Sequence, residues 1–458
     1  MRRSLVIIQH CALLWLSLAV ANVLAAPPDA PAVEVAPAGA PAANEEVNLD
    51  DVRLFTAVLS LVKQAYVEPV DDHQLMQAAI HGMLAGLDPH SEYLEAEQLD
   101  RLTEDTSGSY AGLGLEVSTA EGSLRVIAPI DDTPAARAGI KPGDIILRID
   151  AEPVQADALD EAVERLRGKP GSKVVLTILH DNASTPHEVS LVRETIRVVS
   201  VRSRMLAPGF AYLRVSQFQS ETGSELRQQL QRLQKDNGTR LRGALLDLRS
   251  NPGGLLTSAV EISDIFLDHG GIVTTRGRIA EASMSFSASP GDLLDGAPMV
   301  VLIDQGTASA AEIVAGALKD NHRALLMGRR SFGKGSVQTV LSLDDSHAIK
   351  LTTARYYTPS GISIQAAGIQ PDIELADLAL SENDDQGFAP TSERDLRNHL
   401  KGDAEQAPTP RATVATVPHD YAINEALNVL KALALQRDGK GTSKDVTANT
   451  ATPAEHAH

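Results

Sequence analysis

The chain has 458 residues and a single cysteine, Cys11, which allows about three domains with a sizeable core and excludes a small disulfide-stapled scaffold. Asp and Glu number 60 against 41 Lys and Arg, a formal net charge of −19, which argues against nucleic acid as a partner because phosphate binding runs on clustered cations. Hydrophobic residues make up 43% and charged residues 22%, the balance of a chain that folds in water rather than of a polytopic membrane protein.

The opening segment predicts export. Arg2 and Arg3 precede an apolar run from Leu5 to Leu24 that closes on Val23-Leu24-Ala25-Ala26 and Pro27-Pro28. A basic start, an apolar stretch and a small-residue end read as a signal peptide over residues 1–25, which sends the body of the protein to the periplasm or cell envelope. Gln9-His10 stand before Cys11 where a lipidation box needs small residues, so no lipid anchor is expected. Cleavage near Ala25 leaves a mature chain without a thiol. The competing reading keeps the run, nearly long enough to span a bilayer, as an uncleaved membrane tether.

Residues 26–48, Ala- and Pro-rich with scattered acids, read as a linker that cannot bury a core. From 49 to 106 the spacing turns helical, with Val52, Phe55, Val58, Leu59 and Val62 on one stripe and Leu75, Ile80, Leu84 and Leu87 on another. Such helices pack on the next domain or pair with a second copy of the chain.

Over 107–197 short β-like runs alternate with glycines: Gly112-Leu113-Gly114-Leu115, Leu124 to Ile127, Ala138-Gly139-Ile140 to Gly143-Asp144, a helix from Leu159 to Leu166, Arg167-Gly168 to Gly171-Ser172, and the strand Val174 to Leu179. This segment resembles a PDZ domain of bacterial exported proteases. Its glycines let successive N–H groups face one concavity that can hold a carboxylate, and a strand edge beside it can take a peptide as an extra strand. From 198 to 375 strands and helices alternate in an α/β core. Residues 376–458 form a polar C-terminal region with one apolar helix, about Tyr421 to Leu435, and a low-complexity tail whose His456 and His458 read as incidental.

Three clusters in the core could carry chemistry. The strand Gly243 to Leu248 ends in Arg249-Ser250-Asn251-Pro252-Gly253-Gly254, a bend that leaves N–H groups for an oxyanion or simply makes a tight turn. In Asp304 to Ile313, Ser309 stands among small residues at a helix start, open to a substrate; a capping serine is the plain alternative. Gly328 to Gln338 imitates a phosphate loop at Gly333-Lys334, but Gly335 stands where Ser or Thr is required, and the segment after it alternates like a strand. Lys334, flanked by glycines, can instead be buried close to another backbone. Desolvation then lowers its pKa, and a neutral lysine can take the proton of Ser309 as it attacks a peptide carbonyl. Gln338 shares its face in an extended segment and could orient the amine. Asp88-Pro89-His90-Ser91 reads as a structural turn, and His322 as part of a polar turn. No H-E-x-x-H or Cys/His cluster is present, so neither a metal nor a cofactor is expected.

The three clusters in this order, with the PDZ segment and Leu87-Asp88-Pro89-His90-Ser91-x-Tyr93-Leu94 before them, make the chain resemble the carboxyl-terminal processing peptidases, tail-specific Ser-Lys proteases, from about Leu49 to Leu375. The resemblance implies an α+β multidomain fold: a crotonase-like α/β protease core, an inserted PDZ domain and an N-terminal helical region. It implies Ser309 as nucleophile, Lys334 as base, Gln338 as its support, and an oxyanion hole from the Ala310 N–H with that of Gly253 or Gly254. It further implies that Leu113, Gly114 and Leu115 hold the free carboxylate of unstructured, apolar protein C-termini, and that Arg167 contacts Gln338 on activation. Homo-oligomerisation through the terminal helices and a lipoprotein adaptor are implied as well. The rivals are a catalytically inactive PDZ scaffold and a crotonase-like enzyme acting on thioesters.

Overall fold

The structure, a computed structural model, describes residues 48–119, 122–180, 185–376, 378 and 420–447. The segment read as a signal peptide, nearly all of the Ala/Pro stretch read as a linker, and the terminal histidines lie outside the described residues. No helix among the described residues is long and apolar enough to cross a membrane.

Residues up to Leu75 form one unit and those from Met76 a second. In the first, the helix Leu49–Ala65 is capped by Asn48, whose Oδ1 accepts from the Asp50 N–H at 3.0 Å. None of its residues is buried, and Val52, Phe55 and Val58 stay exposed.

The next helix, Asp72–Ala85, buries only Leu84. Leu87, placed by periodicity on the apolar stripe, is exposed because the helix has already ended. The chain turns at Asp88 and enters a short strand, Glu92–Leu94, inside what spacing alone reads as a helical region.

The PDZ segment is built on the strands Leu115–Ser118, Leu124–Pro129, Ile145–Ile149, Lys173–Leu179 and His187–Val192, joined in that order, with Leu115–Ser118 at one edge. Alternate residues of Lys173–Leu179 point inward, so Val174, Leu176 and Ile178 meet Leu124, Ile146 and Leu166 in a core of their own.

The α/β core is a six-stranded sheet in the order Val201–Ala207, Phe210–Val215, Gly243–Asp247, Met299–Ile303, Leu325–Gly328 and Ile373–Glu374. Every pairing after the first is parallel. Gly243–Asp247 and Met299–Ile303 are buried at every position, as a parallel sheet covered on both faces requires. One face packs on the helices Thr222–Asn237, Leu256–Phe266 and Ala310–Asp320. The other is covered by the C-terminal helix Tyr421–Thr447, which sets Ile423, Ala426, Leu427 and Leu430 against Leu245, Val300 and Leu302. That helix, expected to serve oligomerisation, buries Ile423, Ala426, Leu427, Leu430 and Ala434 against its own chain.

A second sheet joins Glu92–Leu94, Ala348–Tyr357, Gly271–Gly277 and Ser285–Ser287, with Ser336–Ser342 also paired to Ala348–Tyr357. Through it the Asp88 turn, far away in sequence, reaches the Lys334 segment.

Candidate active site

Ser309 stands at the corner between the buried strand Met299–Ile303 and the helix Ala310–Asp320, at φ 55 and ψ −117. A non-glycine residue in this region is strained, and such strain persists only where the surroundings hold it. The holding group is Glu312, fully buried one turn into the helix. Its Oε2 accepts from the backbone N–H of Ser309 at 2.8 Å and of Lys334 at 2.9 Å. Its Oε1 accepts from the Gly333 N–H at 2.8 Å and the Ser331 hydroxyl at 2.5 Å. One carboxylate oxygen therefore sits between the backbones of Ser309 and Lys334. Ser309 does occupy the capping position, but the side chain that binds its amide belongs to Glu312.

The turn after Gly243–Asp247 is fixed just as tightly. Asn251, fully buried, donates from Nδ2 to the Val215 carbonyl at 2.9 Å and accepts at Oδ1 from the Gly253 N–H at 2.9 Å. The Ala308 N–H donates to the Asn251 carbonyl at 2.9 Å, bringing the turn against the nucleophile segment. Both glycines are required. At Gly253, φ +104, a Cβ would lie 2.8 Å from the Ser309 Cβ; at Gly254, φ +138, it would lie 2.1 Å from the Phe218 carbonyl oxygen. The Ala310 N–H opens its helix and has no intrahelical acceptor. With the Gly253 N–H engaged by Asn251, the Gly254 N–H is the freer of the two.

Lys334 lies in a loop ahead of the strand Ser336–Ser342, not ahead of a helix, so the phosphate-loop likeness has no structural counterpart. Burial pushes its ammonium below the usual lysine value; Lys350 adds to that shift, while Asp88 and Glu92 oppose it. The Gln338 amide donates to Ser336 Oγ at 2.8 Å and Thr352 Oγ1 at 3.3 Å. Tyr356, whose hydroxyl is pushed up to about 12 by burial, interacts with the Ser309 hydroxyl.

At the PDZ edge a small cavity of about 90 Å³ is lined by residues including Leu113, Leu115, Val117, Val163 and Arg167. Leu113 is itself core, and a Cβ at Gly114 would strike Thr133 at 2.3 Å, so this loop offers backbone more than side chain. Arg167 pairs with Glu104 and lies over the Tyr110 ring at 5.4 Å. Its hydrogen-bonding partner here is Glu104, not Gln338.

The structure thus brings Ser309, Ala310, Gly253, Gly254 and Lys334 to the same corner and leaves Arg167 with the PDZ pocket. Residues that sequence reasoning passed over are Glu312, Tyr356 and the pair Asp247 and Arg249. Buried Asp247 accepts from Arg249 Nη2 at 2.6 Å, and the same nitrogen donates to Asp420 at 2.8 Å. The available signals were a glutamate three residues after a helix-capping serine, and a charged pair closing an otherwise apolar strand.

Glu312→Gln is expected to lower stability and turnover together. A glutamine turns an N–H₂ toward donors that need an acceptor, and each buried donor left unpaired costs about 1–3 kcal/mol. Thermal melts run beside peptide turnover check this; a variant as stable and as active as the parent would remove Glu312 from its holding role.

Sequence comparison agrees with this architecture. Residues 209–375 match the model of peptidase family S41, residues 111–191 that of the PDZ domain, and residues 25–98 that of the activating protease CtpB N-terminal domain. A carboxy-terminal-processing protease of Bartonella bacilliformis is 42% identical over 393 residues, 85% of this chain and 90% of that protein. A carboxyl-terminal-processing protease of Synechocystis sp. is 39% identical over 320 residues, 68% of this chain and 74% of that one. Among solved structures, a photosystem II D1 C-terminal processing protease is 32% identical, covering 70% of this chain and 92% of its own, with a TM-score of 0.42. A mixed α/β core of the S41 type with a PDZ domain before it defines the class as a serine peptidase. The chain belongs to the carboxy-terminal-processing protease family.

Proposed function

We propose that the protein is an exported endopeptidase that takes protein C-termini in its PDZ domain and cleaves through an acyl-enzyme on Ser309, with Lys334 as general base. The observation that carries this reading is the single Glu312 oxygen shared by the Ser309 and Lys334 amides. It holds a strained, buried serine and a lysine of lowered pKa on adjoining backbones. The attacking hydroxyl gives its proton to the neutral Lys334 amine, which returns it to the leaving amine as the peptide bond breaks. Water then releases the acyl group. The Ala310 N–H, with that of Gly254 or of Gly253 once freed from Asn251, stabilises the oxyanion.

Substrate reading follows from the PDZ edge. The open strand Leu115–Ser118 lies beside the cavity under Leu115 and Val163, which suits an apolar terminal residue added as an extra strand. The crotonase-like character of the core and the signal peptide over 1–25 belong to the same reading. So does pairing with a second copy, for which the exposed stripe of Leu49–Ala65 is suited. The inactive-scaffold rival is disfavoured by the ordered site.

Paired peptides of one apolar-ended sequence, with a free carboxylate or a C-terminal amide, test the recognition step. The amide is expected to be cleaved at least about tenfold less efficiently, the loss of one charge-assisted contact. Equal kcat/KM for the two would exclude carboxylate reading.

A further inference from the structure

The turn Asp88-Pro89-His90-Ser91 is used by neither the dyad nor the PDZ domain, yet it lies against the Lys334 segment. Asp88 Oδ1 accepts from the N–H groups of His90 at 2.8 Å and Ser91 at 3.0 Å, and its Oδ2 accepts from the Ser91 hydroxyl at 2.7 Å. The structural reading of the turn is therefore right, but a further bond leaves it. The Thr352 hydroxyl donates to Asp88 Oδ1 at 3.1 Å across a separation of 264 residues.

That bond has a direction. A threonine hydroxyl carries one proton, and here it goes to an acceptor. Toward Gln338 the oxygen can only accept, which it does from Nε2 at 3.3 Å, while Ser336 Oγ accepts from the same nitrogen at 2.8 Å. With its nitrogen end held by two hydroxyls, the Gln338 amide turns its Oε1 the other way, where it accepts no hydrogen bond among the described residues. An acceptor so presented suits an amine that must aim its lone pair at Ser309 and its N–H elsewhere.

We propose that the Asp88 turn is a positioning element of the catalytic machinery: through Thr352 it fixes the Gln338 amide with its carbonyl available to Lys334. The inference rests on the reading of Lys334 as base. The same carboxylate also acts on the lysine directly. Lys334 is faced by Asp88, His90 and Glu92 from the turn and the strand after it and by Lys350 from Ala348–Tyr357, while Glu312 binds its backbone amide. Asp88 and Glu92 favour its ammonium form, whereas burial and Lys350 disfavour it. Burial, with Lys334 nearby, holds the His90 imidazole below its ordinary value, so His90 adds little positive charge near pH 7.

Two substitutions in the full chain separate the two effects. Thr352→Val removes the relay but keeps the backbone N–H that donates to Ser91 Oγ at 3.1 Å. It is expected to lower kcat about tenfold, the equivalent of one hydrogen bond, with KM and the pH profile unchanged, and Thr352→Ser is expected to restore the rate. Asp88→Asn keeps an acceptor oxygen for the turn and removes the charge. Without that charge Lys334 deprotonates more readily, so the rise of kcat/KM with pH is expected to move toward acid. Parental kcat in Thr352→Val with an unmoved profile in Asp88→Asn would overturn the proposal, as would a loss of rate that serine does not restore. Full turnover in Ser309→Ala or Lys334→Met would instead overturn the dyad itself, so the two failures are distinguishable.

Discussion

Ser309→Ala is expected to reduce turnover of an apolar-ended peptide by about 10⁴-fold or more, the usual cost of removing a catalytic serine nucleophile, with the fold intact. Alanine keeps the Cβ that meets Gly253 and loses the hydroxyl with its contact to buried Tyr356, so a modest drop in melting temperature, short of unfolding, is expected. Ser309→Gly is expected to be equally inactive yet more stable, by about 1 kcal/mol or more, because only glycine adopts φ 55, ψ −117 without strain. The pair distinguishes a strained nucleophile from an ordinary cap, whose loss to glycine is nearly neutral. Residual turnover near the parental level in either variant would exclude Ser309 as nucleophile.

Lys334→Met is expected to cost about 10³-fold or more in kcat, since it removes the base while keeping an unbranched side chain of similar length. In the parent, activity should rise with pH as the ammonium is lost, along a limb below the ordinary lysine value because burial and Lys350 lower the pKa. The sign for stability follows from the same shift. A lysine whose folded pKa is depressed binds fewer protons folded than unfolded between the two values, so it weakens the fold at pH below its folded pKa. Methionine removes that burden, so the inactive variant should melt higher than the parent at neutral pH. Kinetic pH profiles and melts at two pH values check both statements. A rise in activity that follows a histidine, near pH ~6.5, would point to another base.

Some of the site was open to direct reading and some was not, for identifiable reasons. Ser309, Lys334 and the Asn251 to Gly254 turn stand at element boundaries, where small residues and glycines mark backbone that must bend or be approached closely. Glu312 was hidden because a glutamate three residues after a capping serine is an ordinary helix-start pattern; only the packed loop shows that its carboxylate also binds Gly333 and Lys334. Arg167 carries no local sign of its partner, and the structure places it on Glu104. The helix from Tyr421 has an apolar face in any reading, but periodicity does not say what covers it.

By itself the sequence determined the kinds of element and the chemistry available. Periodicity of 2.0 or 3.6 residues sets which side chains share a face, and the lone Cys11 lies far from the three core clusters in sequence, which put Ser309 forward as the candidate nucleophile. Tertiary structure alone decided which distant groups meet. The Asp88 turn was legible as a turn, because its hydrogen bonds to His90 and Ser91 are local. Its approach to Thr352 and Gln338 was not, because the strand pairing that joins Glu92 to Lys350 closes a loop of more than half the chain. No local pattern of residues records such a closure. It is fixed by the pairing of Glu92–Leu94 with Ala348–Tyr357, in which Tyr93, Leu94 and Ala348 are buried.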